Sequence, residues 1–180
     1  MKKSTIIFKS VLSAFVLFAS AALVSCEKEG ETPNPDTDAT KPVAVQFAYT
    51  NVESEDMLEY CNIIMEYTDV NGTKVDTITS TEWKKVCTTP LPCTYSFKKS
   101  YTLKEDKDMS SGDTITIKAK SYQYSYSILK ANGDEEKKPG GAHSPNYHLI
   151  VNKLPEAISQ GRFNVTNDFV FDKDGKLTQK

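Results

Sequence analysis

The run Val43-Ala44-Val45-Gln46-Phe47-Ala48-Tyr49-Thr50 decides the fold class. Val43, Val45, Phe47 and Tyr49 share one parity, and Ala44, Gln46, Ala48 and Thr50 the other. That period of two belongs to a strand with one buried face. The pattern recurs downstream. Cys61, Ile63, Met65 and Tyr67 lie opposite Tyr60, Asn62, Ile64 and Glu66. Asn71-Gly72 separates that run from Lys74 to Thr79 and predicts a tight hairpin, because both positions tolerate positive φ. Tyr95, Phe97, Tyr101 and Leu103 alternate with Thr94, Ser96, Lys98, Ser100 and Thr102. Residues 114–128 are β-prone throughout, Tyr147 to Val151 reads as a shorter strand, and Phe163, Val165, Phe169 and Phe171 mark the last strand or two. Between these runs, Trp83 to Cys93 reads as irregular because of Pro90 and Pro92. Asn51 to Asp56, Glu105 to Gly112 and Asn132 to Gly141 read as polar connections, and Pro155 to Gly161 as one helical turn.

No long helical period interrupts the strands. Strands without intervening helices cannot form parallel βαβ units, so the expected class is all-β and antiparallel. The spacing of turn signals predicts a two-sheet sandwich of about seven or eight strands, an immunoglobulin-like Greek key, over residues 43–172, with 173–180 as a C-terminal tail. A chain of 180 residues has room for one such domain and little more. It carries 22 Lys and Arg against 24 Asp and Glu, and residues 1–25 hold Lys2, Lys3 and Lys9 and no acid. The remainder is therefore acidic, with a net charge of about −5, and lacks the basic excess that neutralises phosphates; nucleic acid is not an expected partner.

The N-terminus carries the most specific signal. A lysine-bearing segment precedes a mostly apolar run from Val11 to Val24. Those 14 residues would span only ~21 Å as a helix, short of the ~30 Å of a hydrocarbon core. Residues 1–25 therefore read as a secretory signal peptide. It ends in Leu23-Val24-Ser25-Cys26, which resembles the lipobox of bacterial lipoproteins. The resemblance implies cleavage before Cys26 and acylation of that cysteine, and two or three acyl chains anchor stably where one does not. The following Glu27-Lys28-Glu29-Gly30-Glu31 is similar to the surface-export signals of Bacteroidota lipoproteins, which implies an outer-membrane address facing the cell surface, with the periplasmic face as the alternative. Residues 26–42, punctuated by Pro33, Pro35 and Pro42, read as a disordered acidic tether. Strand layout and leader together resemble the small β-sandwich lipoproteins common in Bacteroidota.

The candidate site residues are few. With Cys26 assigned to lipid, Cys61, Cys87 and Cys93 remain in an exported, disulfide-permissive context. Cys87 and Cys93 flank a proline bend and are the favoured disulfide, over a pairing of Cys61 with either; Cys61 reads as a small buried hydrophobe. No Cys-x-x-Cys spacing supports a metal, and no nucleotide or phosphate fingerprint implies a cofactor. Asp172-Lys173-Asp174-Gly175 is half a calcium loop and reads as a turn. His143 reads as a loop residue and His148 as a half-buried packing residue, and no Gly-x-Ser-x-Gly accompanies them. Tyr122, Tyr124 and Tyr126 form a period-two row. Exposed, it would be a strip for stacking on sugars or anchoring a protein; turned inward, it is the core face of one sheet. Ile115 and Ile117 fall on the opposite parity, so the run either changes face through a bulge or has both faces covered. Asp76-Thr77-Ile78 and Asp113-Thr114-Ile115 are similar to the three-residue O-glycosylation signal of Bacteroidota exported proteins, which implies Thr77 and Thr114 as acceptors. The functional expectation is a lipid-anchored binding or structural display module for a glycan or protein partner, rather than an enzyme. The alternatives are a small extracytoplasmic hydrolase and an apolar-ligand carrier with a closed barrel.

Overall fold

A computed structural model of the protein describes residues 39–180. The expected signal peptide (1–25), Cys26 and the tether as far as residue 38 lie outside the described residues. The chain runs β1 (Pro42–Val52), α1 (Glu55–Tyr60), β2 (Cys61–Asp69), β3 (Gly72–Ile78), β4 (Glu82–Pro90), β5 (Cys93–Leu103), β6 (Thr114–Ile117) and β7 (Tyr122–Lys130). It continues through β8 (Glu135–His143), β9 (Tyr147–Ile150), a 3-10 turn at Val151–Lys153, α2 (Leu154–Ser159), β10 (Val165–Phe171) and β11 (Leu177–Gln179). Every pairing is antiparallel. The strands form a four-stranded sheet in the order β4-β1-β7-β8, a five-stranded sheet in the order β11-β10-β5-β2-β3, and the pair β6-β9.

The strand alternation determines what is buried. Val45, Phe47 and Tyr49 of β1 and Tyr95, Phe97 and Tyr101 of β5 all face one shared core. Phe47 stacks on Tyr95 with ring centroids 4.9 Å apart and meets Phe169 of β10 at the same distance. Tyr49 stacks on Phe97 at 4.0 Å. Aromatic faces thus join the two larger sheets, each ring burying a large apolar area with a geometric preference beyond that area.

The Asn71-Gly72 hairpin forms as expected. Gly72 sits at φ +94°, and Asp69 Oδ1 accepts from the backbone N–H of Asn71. Helix α1 starts at an N-cap serine: Ser54 Oγ accepts from Met57 N–H at 3.3 Å and donates to the Thr116 carbonyl at 2.6 Å, tying the helix to β6.

Several expectations are corrected. Residues 83–90 are not irregular, and only Leu91 and Pro92 form a bend; Trp83, Lys85, Cys87 and Thr89 point inward from β4, and a face half made of polar groups hides the period. Residues 114–128 are two strands in different sheets, which resolves the conflict of parity between Ile115 and Tyr124 without a face change inside one strand. Residues 135–143 are an edge strand rather than a loop. Its Lys137, Lys138 and Pro139 give it no apolar face, and such residues suit an edge that must not recruit another strand. The last residues of the expected tether are held in place: the carbonyls of Ala39 and Lys41 accept from Asn132 and Ala131, and Pro42 opens β1. Residues 173–180 are not a loose tail. Asp172 Oδ1 accepts from the N–H groups of Asp174 and Lys176, turning the chain so that Leu177 pairs with Phe171. The half calcium loop is that turn.

Candidate functional site

Tyr122, Tyr124 and Tyr126 do not form an exposed strip. They point inward from β7 and are half-buried against core rings. Tyr122 lies 5.7 Å from Tyr49, Tyr124 lies 4.9 Å from Phe169, and Tyr126 lies 5.1 Å from Phe171. Gly141 on β8 leaves the room that Tyr124 fills: a Cβ there would come within 2.7 Å of the tyrosine ring. The row is the inner face of its sheet.

The cysteines are also placed differently. Cys61, Cys87 and Cys93 are all free thiols, so the expected Cys87–Cys93 disulfide is not formed. Cys87 lies on β4 opposite Phe47, and Cys93 on β5 opposite Phe171. The proline bend between them carries the chain from one sheet to the other, and the Cys87 thiol donates to Asp69 Oδ2 at 3.7 Å. Burial pushes the Cys61 thiol up to about 12, with the Glu53 carboxylate adding to the shift. At a given pH its thiolate fraction is then ~10³-fold below that of an ordinary thiol. At about pH 8, iodoacetamide is expected to label Cys87 and Cys93 in the folded protein and Cys61 only after unfolding. Peptide mass spectrometry before and after denaturation reads this directly; native labelling of Cys61 at the rate of the other two would contradict it.

His143 and His148 are both exposed, so His148 is not the half-buried packing residue expected. His143 ends β8 and His148 lies on β9, in different sheets. His148 borders a surface groove of about 290 Å³ with an apolar floor of Ile117, Leu149 and Phe163 and the cations Lys120 and Arg162 at its rim. Thr77 and Thr114 are exposed on β3 and β6. Among the described residues, no group of three or more His, Cys, Asp or Glu side chains could hold a metal ion, and no helix is long and apolar enough to cross a membrane.

The most elaborated polar constellation lies inside. Asn51, the last inward residue of β1, and Glu53, just beyond the strand, continue the parity of Val45, Phe47 and Tyr49. Lys99 and Tyr101 do the same on β5. Asn51 and Glu53 are each 1% exposed and Lys99 is 3% exposed, so all three are withdrawn from water. Lys99 Nζ donates to Asn51 Oδ1 at 2.6 Å and forms an ion pair with Glu53 Oε1. The same Oε1 accepts from Tyr101 OH at 2.8 Å and from Asn51 Nδ2 at 3.3 Å. Glu53 Oε2 is buried without a partner. Burial holds the Lys99 ammonium well below the usual lysine range, against the pull of Glu53. Burial and then the Glu53 charge push the Tyr101 phenol far up, so it stays a hydrogen-bond donor.

Comparison with protein-family models, curated proteins and solved structures returns no match.

The constellation was open to notice in the sequence. Lys99 interrupts the odd-numbered series Tyr95, Phe97, Tyr101, Leu103, and a lysine on an otherwise aromatic face needs a buried partner. Asn51 and Glu53, read as part of a polar connection, are in fact the continuation of the inward face of β1.

Proposed function

We propose that this chain is a lipid-anchored cell-envelope protein whose β domain serves as a structural display or binding module. The observation that carries the reading is Leu23-Val24-Ser25-Cys26 at the end of a short basic-then-apolar leader. The acidic residues after Cys26 support an outer-membrane address facing the surface. The character of the domain supports a structural role. Its most elaborated polar site is sealed between sheets, where it serves the domain's own architecture rather than a free ligand.

The finer fold reading belongs to the same proposal. The pairs β1-β4 and β2-β5 lie in different sheets, and the chain crosses from β1 to β2 and again from β4 to β5. With β3 beside β2 and β10 beside β5, this pairing fits an immunoglobulin-like Greek-key sandwich, with β7 next to β1 and β8 at the edge beyond it.

Metabolic labelling with an alkynyl fatty acid tests the anchor. Wild-type chain is expected to take up label and to lose the mass of residues 1–25. Cys26→Ala is expected to lose the label and to accumulate unprocessed. Unlabelled wild type, or label retained in Cys26→Ala, would overturn the reading.

A further inference from the structure

We propose that Lys99 and Asn51 condense spontaneously into an intramolecular isopeptide bond that staples β5 to β1, with Glu53 carrying the proton. The inference stands on the buried constellation alone and is independent of how the chain is anchored.

The reactants are an amine and a carboxamide in one dry pocket. Lys99 Nζ lies 2.6 Å from Asn51 Oδ1. With a C=O bond of ~1.2 Å, the hydrogen-bond geometry leaves Nζ about 3–4 Å from Cγ, close to the separation of a near-attack conformer. Lys99 and Asn51 lie 48 positions apart in sequence on different sheets, so the fold itself supplies the proximity. Desolvation favours the uncharged amine, which is the nucleophilic form. The carboxylate needed to move protons is already in contact with both partners, since Glu53 Oε1 meets Lys99 Nζ and accepts from Asn51 Nδ2. Tyr101 OH fixes that oxygen from the other side.

The step balances without any co-reactant. Glu53 takes one proton from the Lys99 ammonium. The freed lone pair attacks Asn51 Cγ, forming the Nζ–Cγ bond and placing the carbonyl electron pair on Oδ1. As the carbonyl re-forms, the Cγ–Nδ2 bond breaks. The second proton from Nζ passes through Glu53 to Nδ2, which leaves as ammonia. The products are a secondary amide, one ammonia and a protonated Glu53. Nothing is oxidised or reduced. The reaction exchanges a buried ion pair for neutral groups, removing a desolvation cost that the pair recovers only in part. It also gives a role to Glu53 Oε2, which is buried without a partner: it is the site for the retained proton.

Tryptic digestion of the folded, purified full chain reads the outcome. An acylated Lys99 is no longer a cleavage site, so the expected product is a branched peptide joining Lys99–Lys104 to the segment that holds Asn51. Its mass is the sum of the two less one ammonia, and conversion is expected to be near complete. Asn51→Asp, which keeps the shape, is expected to lose one water instead. Glu53→Gln, which cannot relay the proton, is expected to leave both peptides linear. The wild-type digest decides the matter even where a variant fails to fold. Release of Ser100–Lys104 as the main product, or an ammonia loss confined to the Asn51 peptide, would overturn the proposal.

Discussion

Phe47→Ala is expected to destabilise the domain by about 3–5 kcal/mol, the usual cost of emptying a large aromatic site in a core. Phe47 is 1% exposed and stands where both larger sheets converge. It stacks on Tyr95 at 4.9 Å, meets Phe169 at 4.9 Å and Phe171 at 5.7 Å, and lies 5.9 Å from Tyr124 of its own sheet. These neighbours belong to three other strands, each fixed by its own ladder, so the cavity cannot collapse by moving one of them. Against a total stability of roughly 5–15 kcal/mol, the loss leaves a marginal domain. Equilibrium unfolding in urea, followed by Trp83 fluorescence, measures it as a lower midpoint at an unchanged slope. A loss below about 1 kcal/mol would mean that the rings around Phe47 close the gap.

The second large effect comes from charge. Lys99→Met is expected to cost about 3–5 kcal/mol, because it leaves the Glu53 carboxylate in the core without its partner. The comparison is made in an Asn51→Ala background, where no isopeptide bond can form and Lys99 supplies the cation that Glu53 faces. The expected signature is recovery: Glu53→Leu combined with Lys99→Met should regain most of the loss, since buried pairs replaced by apolar groups of similar volume often fold as well as the original. A double-mutant cycle on unfolding midpoints gives the coupling between the two sites. Additive single losses, with no recovery in the double variant, would show that the pair is not the source of the cost.

Legibility followed the chemistry of each face. β1, β2 and β5 were readable because apolar residues recur at every second position over most of their length, and β3 because it follows the Asn71-Gly72 turn, whose backbone needs residues that accept positive φ. β4 was hidden because Lys85 and Thr89 share its inward face with Trp83 and Cys87. β8 was hidden because nothing on it is strongly apolar; it exists because β7 offers it a ladder. The same distinction governs the sites. The parity of Tyr122, Tyr124 and Tyr126 was plain, yet parity alone names a face without saying whether that face meets solvent or another sheet.

The sequence by itself determined the all-β class, the main strands and the inward parity of Tyr101, because these depend on consecutive side chains along one strand; the inward course of Asn51, Glu53 and Lys99 came with the tertiary structure. Only the tertiary structure decided which faces meet. Burial of apolar surface is non-directional and does not name a partner strand. The choice was made by ladders and ring packing between segments far apart in the chain, and it sent the tyrosine row inward, separated Cys87 from Cys93 on two sheets, and brought the Lys99 amine to the Asn51 amide.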